Sequence, residues 1–229
     1  MTEEDLRCSI IQHCRDMNAS GLNQGTSGNI SARYDGQMLI TPSAIPYSMM
    51  TPDMIVSMPI DGADGDWRGP KKPSVEWPFH RDIMRSRSEI GAIVHTHSMF
   101  ATILAIARKP IPACHYMIAA FGGNDVRVCD YARYGTSELS RNVLMALKGR
   151  SACLMANHGM IATGPTLEKA MWAAVELETI ARQYYHALLI GGPVILPDGE
   201  IAGVREGFAT YGLQEQDATS SEPRPGDGR

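Results

Sequence analysis

His95 and His97 follow a short apolar, β-branched stretch, residues 90–94, and their types and spacing could bind a metal ion. The stretch predicts a buried strand, and residues two apart on a strand point to the same face, about 7 Å apart along the backbone. Neutral imidazole nitrogens suit a borderline cation such as zinc. A His-x-His pair alone is typical of one packed ring and one solvated ring, so the metal hypothesis depends on other residues.

A third histidine, His158, stands at another predicted strand end. It lies between strands predicted over 152–155 and 160–163, beside Gly159, which allows a tight turn. A histidine placed in this way is a candidate third ligand for the same ion.

Glu76 is the candidate carboxylate. The pattern predicts a helix over 75–87 with Ser74 as its N-cap, which puts Glu76 in the first turn. There it either compensates the helix dipole or serves as a general base. His80 lies four residues later on the same helix face, as a further ligand or as a packed, hydrogen-bonded neighbour.

Residues 22–29 (Leu-Asn-Gln-Gly-Thr-Ser-Gly-Asn) form a loop rich in glycine, hydroxyls and amides. Glycine lets backbone N–H groups converge on an anion such as a phosphate, although a plain polar turn has the same composition. The loop matches neither a Walker A motif nor a dinucleotide fingerprint, so a nucleotide is not indicated.

Three histidines and one carboxylate suggest a catalytic metal site with one open coordination position. The ion would act as a Lewis acid on a carbonyl or enolate oxygen, while Glu76 takes a proton beside that carbonyl. The glycine-rich loop would hold a phosphate, and the phenol of Tyr116 would return a proton to an alkoxide. The predicted reaction is metal-assisted carbon–carbon cleavage, or proton transfer beside a carbonyl, on a small phosphorylated substrate.

The composition excludes several other classes of protein. The chain has 229 residues, 44% hydrophobic and 20% charged, with a net charge of −4 and a pI near 6.0, so no nucleic-acid partner is expected. No run approaches the ~18 apolar residues of a membrane span, and the acidic N-terminus is unlike a signal peptide. We read the five cysteines as reduced core thiols of a cytoplasmic protein: Cys8, Cys14, Cys114, Cys129 and Cys153.

The predicted elements alternate between helices and strands. Threonines at 2, 136 and 166 are helix N-caps, and Asp35-Gly36 joins strands 30–34 and 37–41 as an antiparallel hairpin. Ser98 should cap a helix after the His-x-His strand, and Asp198 should begin a last one. We therefore expect one mixed α/β domain over residues 1–215 and a disordered tail over 216–229.

Several motifs, in order, resemble the class II aldolase/adducin family. They are residues 22–29, Leu39-Ile40-Thr41-Pro42, Glu76-Trp77, His95-x-His97, 115–120 (His-Tyr-Met-Ile-Ala-Ala), Tyr134-Gly135-Thr136 and His158-Gly159. The resemblance runs from about residue 6 to residue 211. It implies a three-layer α/β/α fold with a central, largely antiparallel sheet, and a homotetramer of four-fold symmetry with active sites at subunit interfaces.

The resemblance also implies roles for individual residues. His95, His97 and His158 would bind zinc, which manganese or cobalt could replace, and Glu76 would be the base and a possible ligand in the resting state. Tyr116 would act from the neighbouring subunit. A (deoxy)ketose 1-phosphate of the L-fuculose, 5-deoxyribulose or 5-methylthioribulose type would be cleaved, through an enediolate held by the metal, to dihydroxyacetone phosphate and an aldehyde.

Two sets of residues would surround the substrate. Tyr134 and Tyr211 would line the aldehyde side. Val75 and Ala44 depart from the serine and glycine of the family pattern, but both keep the backbone N–H. The phosphate would be bound by Thr26, Ser27, Gly28, Asn29, Ser43, Ala44, Ser74 and Val75.

Other activities of the family stay open at this point. A methylthioribulose-phosphate dehydratase or a decarboxylase of a small oxo-acid would use the same metal ligands. A 4-epimerase usually has an aspartate where Glu76 stands. An adducin-like interaction module lacks the metal ligands, which this chain retains.

Overall fold

The computed structural model describes residues 1–210, which form a central eight-stranded sheet with helices on both sides. The strand order is β3-β2-β1-β4-β8-β7-β6-β5, and among the strand pairs of these residues only β6–β7 is parallel. The largely antiparallel sheet is therefore confirmed. The strands are β1 (Asn29–Tyr34), β2 (Gln37–Ile40), β3 (Val56–Pro59), β4 (Ala92–Thr96), β5 (Ile111–Pro112), β6 (Asp125–Cys129), β7 (Ala152–Met155) and β8 (Gly159–Gly164).

Two apolar cores, one on each face of the sheet, confirm the three-layer arrangement. Helices α1, α3 and α5 pack on one face and α2 and α4 on the other, so the sheet is covered from both sides. The helices are α1 (Glu3–Ala19), α2 (Trp77–Ser86), α3 (Met99–Ile106), α4 (Ser137–Ala146), α5 (Leu167–Leu189) and α6 (Asp198–Thr210).

Local sequence signals set several of the element boundaries. Thr2 and Asp5 form a complete capping box at α1, and the side chains of Thr136 and Thr166 cap α4 and α5. The β1–β2 hairpin turns at Asp35-Gly36, where both residues have positive φ, as a type I′ turn requires.

The helix predicted over 75–87 is shorter than expected, and the prediction of Ser74 as its N-cap was wrong. Helix α2 begins at Trp77, with Glu76 at the N-cap. The reason is a tertiary contact: the Ser74 N–H donates to Thr41 O at 2.9 Å and keeps the chain extended up to that point. Glu76 thus stands on the turn before the helix.

The prediction of five core thiols was wrong for Cys8, and Cys114 packs against the core without being fully buried. Cys8 is exposed because it lies off the buried stripe of α1, and Cys114 is half-buried, whereas the other three are buried. None of the helices in residues 1–210 is both long enough and apolar enough to span a membrane. Tyr211 and the predicted tail lie outside the described residues, so the domain end at 215 stays a prediction.

Candidate active site

The three predicted histidines come together at the ends of β4 and β7. The ring centroids of His95, His97 and His158 lie 4.9 to 5.0 Å apart, and each pair of rings is inclined by 72° to 77°. One nitrogen from each ring lies within 4.8 Å of the others, close enough to share one ion. Among the described residues these three are the only such group of histidine, cysteine or carboxylate side chains.

His95 is oriented by the strand beside it. Its Nδ1–H donates to the backbone carbonyl of Met160 on β8 at 2.9 Å, so in the neutral ring Nε2 is the unprotonated nitrogen. The ring is completely buried because β4 lies between β1 and β8 in the middle of the sheet. A ligand held in this way is fixed in both tautomer and direction.

The glycine-rich loop supports the end of β4, a connection that sequence reasoning missed. Asn23 accepts hydrogen bonds on Oδ1 from the Thr96 hydroxyl at 3.3 Å and from the His97 N–H at 3.4 Å. A Cβ at Gly28 would lie 2.8 Å from the His95 carbonyl oxygen, so only glycine fits there without a shift. The loop therefore holds two of the histidines in place as well as facing solvent.

A residue from α5 supports the segment after His97, and sequence reasoning missed this too. The predicted cap Ser98 takes the N-cap position of α3, but its side chain makes no capping bond. Glu178 accepts the N–H groups of Phe100 at 2.8 Å and Ala101 at 2.9 Å in its place. A carboxylate at a helix N-terminus satisfies donors that would otherwise lack partners.

Glu76 lies against the histidines and is buried, with 5% of its surface exposed. Its Oε2 is 3.2 Å from His95 Nε2, and its Oε1 is 3.1 Å from His158 Nε2. The amide of Asn29 donates to Oε2 at 2.8 Å. The predicted base and the predicted metal ligands are therefore in direct contact.

Electrostatics within the cluster favour an ionised carboxylate. Burial opposes the charge on Glu76, but His95 and His158 lower its pKa below the ordinary range. Burial also opposes a charge on His95, yet the Glu76 carboxylate raises the pKa of that ring. Burial, and then the neighbouring His95, lower the pKa of His97 to about 4, so His97 is neutral near pH 7 with a free lone pair.

The unsatisfied atoms of the cluster fit a metal ion. Glu76 Oε1, His95 Nε2 and His97 Nε2 are buried and have no hydrogen-bond partner among the described residues. The short distances between Glu76 and two of the rings do not have hydrogen-bonding geometry at those atoms. Buried polar atoms without partners cost free energy, and a cation bound to three imidazoles would satisfy them.

A cavity of about 200 Å³ lies beside Glu76. Its walls come from three separate segments: the glycine-rich loop, the loop after β2, and the turn before α2. Its lining residues include serines, a threonine and a glycine, a composition that suits a phosphate. All of the predicted phosphate-binding residues line it: Thr26, Ser27, Gly28, Asn29, Ser43, Ala44, Ser74 and Val75.

Of the three tyrosines predicted to act on the substrate, Tyr116 and Tyr134 are among the described residues, and neither lines this cavity. Tyr134 is 63% exposed and does not line the cavity, but the next residue, Gly135, packs so closely that a Cβ there would be 2.9 Å from Val75 O. Tyr116 is 50% exposed, stacks on His115, and lines a different cavity of about 730 Å³. Within one chain, then, Tyr116 does not line the cavity beside Glu76.

Comparisons with known proteins consistently indicate one family. The family described as Class II Aldolase and Adducin N-terminal domain matches residues 8–185. The chain is 51% identical to a 5-methylthioribulose-1-phosphate/5-deoxyribulose-1-phosphate aldolase of Rhodospirillum rubrum over 92% of this chain and 94% of the relative. It is 48% identical to an L-fuculose phosphate aldolase of Escherichia coli over 93% of this chain and 99% of that protein.

The fold is similar to that of solved aldolases. An L-fuculose 1-phosphate aldolase structure superposes with a TM-score of 0.86 at 40% identity, covering 90% of this chain and 96% of the other. Its likeness extends over the sheet and both helical layers, since nearly all of each chain is covered. The family match spans most of the chain and the relatives are named aldolases, so this chain belongs to the class II aldolase and adducin family, as one of its aldolases.

Proposed function

We propose that this chain is a zinc-dependent aldolase that cleaves a ketose 1-phosphate into dihydroxyacetone phosphate and an aldehyde. One observation carries the proposal: the predicted base Glu76 contacts the three-histidine cluster on one side and lines the anion-suited cavity on the other. A phosphate in that cavity would place the rest of a small substrate beside the base and the cluster.

His95, His97 and His158 would hold the zinc ion, and manganese or cobalt could take the same nitrogens. When bound, the ion supplies Lewis-acid polarisation of the substrate oxygens. Glu76 takes the proton from C3 of dihydroxyacetone phosphate in the direction of addition and returns it to C3 in the direction of cleavage.

In this proposal Tyr116 is the acid that donates a proton to the aldehyde oxygen in the direction of addition. Cleavage breaks the C3–C4 bond, with the C4 hydroxyl proton passing to the phenolate, and addition reverses that transfer. Since Tyr116 is exposed and lines a different cavity, it would act in the active site of a neighbouring subunit of a homotetramer. Tyr134, on the loop that packs against Val75, would contact the aldehyde, as would Tyr211.

The relatives suggest the substrate class. A protein named for 5-methylthioribulose 1-phosphate and 5-deoxyribulose 1-phosphate, and another named for L-fuculose phosphate, are similar to this chain over nearly its whole length. All of these substrates share the dihydroxyacetone phosphate half and differ in the aldehyde. We propose that the chain binds this shared half in the cavity, as a cytoplasmic enzyme with residues 1–215 as one domain.

Proton exchange tests the proposal without a choice of aldehyde. Zinc-loaded protein is incubated with dihydroxyacetone phosphate in heavy water, and loss of the C3 hydroxymethyl signal is followed by NMR. We expect exchange in the wild type and a decrease of about 10²-fold or more in E76Q. The matched control E176Q, on α5, should exchange like the wild type.

Two results would contradict the proposal. Wild-type protein with bound zinc that exchanges no proton is not acting as this aldolase, and the dehydratase and decarboxylase then become the candidates. Exchange that persists in E76Q would remove Glu76 as the base. If both tests agree with the proposal, a panel of lactaldehyde, acetaldehyde, glycolaldehyde and methylthioacetaldehyde identifies the other half of the substrate.

A further inference from the structure

A buried chain of hydrogen bonds starts at Glu76 Oε2, the carboxylate oxygen nearer to His95, and runs through Asn29 and His80 to Ser31. The Asn29 amide donates to Glu76 Oε2 at 2.8 Å, His80 Nε2 lies 2.5 Å from Asn29 Oδ1, and Ser31 Oγ lies 2.7 Å from His80 Nδ1. His80 and Ser31 are completely buried, and Asn29 is 5% exposed. Water therefore does not compete for these bonds.

The direction of each bond follows from the carboxylate. An ionised Glu76 only accepts, so the Asn29 amide must face it with nitrogen and must turn its oxygen toward His80. That oxygen also only accepts, so His80 must carry its proton on Nε2. The Nδ1 of a neutral His80 then accepts from the Ser31 hydroxyl, and burial lowers the pKa of His80 to about 3, in agreement with a neutral ring.

The fold brings these four residues together through two regular spacings. Asn29 and Ser31 are two apart on β1 and point to one face of the sheet, with Asn29 directly opposite His95 in the strand pairing. Glu76 and His80 are four apart at the start of α2 and lie on one face of that helix. Helix α2 packs on that face of the sheet, so the Glu76 and His80 side chains meet those of Asn29 and Ser31.

We propose that His80 is a positioning residue, which holds the Asn29 amide in the one orientation that anchors Glu76 Oε2 and leaves Oε1 as the proton-accepting atom. Oε1 is the carboxylate oxygen that has no hydrogen-bond partner among the described residues. Asn29 also lines the cavity beside Glu76. The catalytic part of this inference rests on the proposed function, but the hydrogen-bond direction does not.

Two substitutions at His80 separate positioning from simple packing. H80M replaces the imidazole by an apolar side chain of similar size and so removes the donor to Asn29. H80Q keeps an N–H group that can reach the same oxygen. H13M is the matched control, because His13 bonds to its own helix, at Ser9 O, away from the site. For each variant, bound zinc, the maximal exchange rate on dihydroxyacetone phosphate and the half-saturating concentration are measured.

We expect H80M to bind zinc like the wild type, with an exchange rate lower by about 10- to 100-fold and little change in half-saturation. H80Q should retain most of the rate, and H13M all of it. An H80M protein as active as the wild type would overturn the inference. So would equal losses of rate in H80M and H80Q, or loss of zinc in both, because packing alone would then explain the residue.

Imidazole NMR tests the bond direction without any activity. Long-range proton–nitrogen spectra of the zinc-loaded wild type should show His80 as the Nε2–H tautomer near pH 7. If the wild type exchanges no proton, the proposed function is wrong, and this spectrum alone decides the positioning role. The Nε2–H tautomer then supports the anchoring of Glu76 by Asn29, and the Nδ1–H tautomer overturns it.

Discussion

Gly159 lies directly against the ring of His97: a Cβ added to Gly159 would be 2.9 Å from His97 Cδ2. The same Cβ would be 2.6 Å from the Thr96 carbonyl oxygen and 3.4 Å from His95 Cε1. Real Cβ atoms are not found this close to backbone, so a side chain at residue 159 must push the end of β4 away from β8. Two of the three histidines of the cluster depend on this contact.

We therefore expect G159A to weaken zinc binding by about 10- to 100-fold while the chain still folds. The measurement is a competition titration with a zinc chelator, and H95A, which should lose zinc, gives the reference for a destroyed site. The control is G203A on α6, where a Cβ meets nothing within 4 Å. Wild-type affinity in G159A would show that the histidines do not need this spacing.

A second prediction concerns the exposed phenol of Tyr116. If Tyr116 acts in a neighbouring subunit of the proposed homotetramer, the E76Q and Y116F proteins each lack one group at every active site. Mixed tetramers, made by unfolding and refolding the two variants together, contain some sites with both groups. We expect aldol cleavage in the mixture to exceed the sum of the separate variants clearly, when followed by release of dihydroxyacetone phosphate.

The control for that experiment mixes E76Q with E76A, which share the missing group and cannot complement each other. A mixture of E76Q and Y116F that stays as inactive as its components would place both groups in one subunit. Such a result would remove the proposed role of Tyr116 across an interface, while the metal cluster and the cavity beside Glu76 would be unaffected.

A third prediction concerns Ala44, which lines the cavity with a φ of +58°. A residue with a Cβ pays about 1–2 kcal/mol in this left-handed conformation, whereas glycine pays little in the fold but loses more entropy on folding. We expect A44G to raise the free energy of unfolding by about 0.5–1 kcal/mol and Tm by about 1–4 °C. Calorimetry at fixed pH measures both quantities.

The control for A44G should change the free energy of unfolding in the opposite direction. Ala202 is an exposed residue of helix α6, and A202G should lower the free energy of unfolding by about 1 kcal/mol. If A44G lowered it as well, the left-handed backbone at residue 44 would carry no strain. Since the backbone N–H stays in A44G, phosphate affinity should be unchanged.

Features that depend on neighbouring residues were predictable from the sequence. The strand of β4, the capping threonines and the turn at Asp35-Gly36 all follow from contacts within about five residues. The spacing of His95 and His97 likewise follows from the two-residue repeat of a strand. For the same reason, the motif residues of the glycine-rich loop could be read as an anion-binding group before any fold was known.

Features that depend on distant segments were not predictable in this way. The start of α2 moved to Trp77 because Ser74 bonds to Thr41, and the role of Glu178 requires helix α5 to lie beside the start of α3. His80 read equally well as a ligand or as a packed neighbour. Only the approach of β1, which brings Ser31 and Asn29 to its two nitrogens, decided between them.

The sequence by itself therefore determined which groups this protein brings to its chemistry: three imidazoles, one carboxylate and a loop suited to an anion. The tertiary structure decided how they are held. It joined Glu76 to both the histidine cluster and the cavity, and it gave His80 its hydrogen-bond partners. The physical reason is that residue type and local spacing specify donors and acceptors, whereas which donor meets which acceptor depends on the packing of a helix against a sheet.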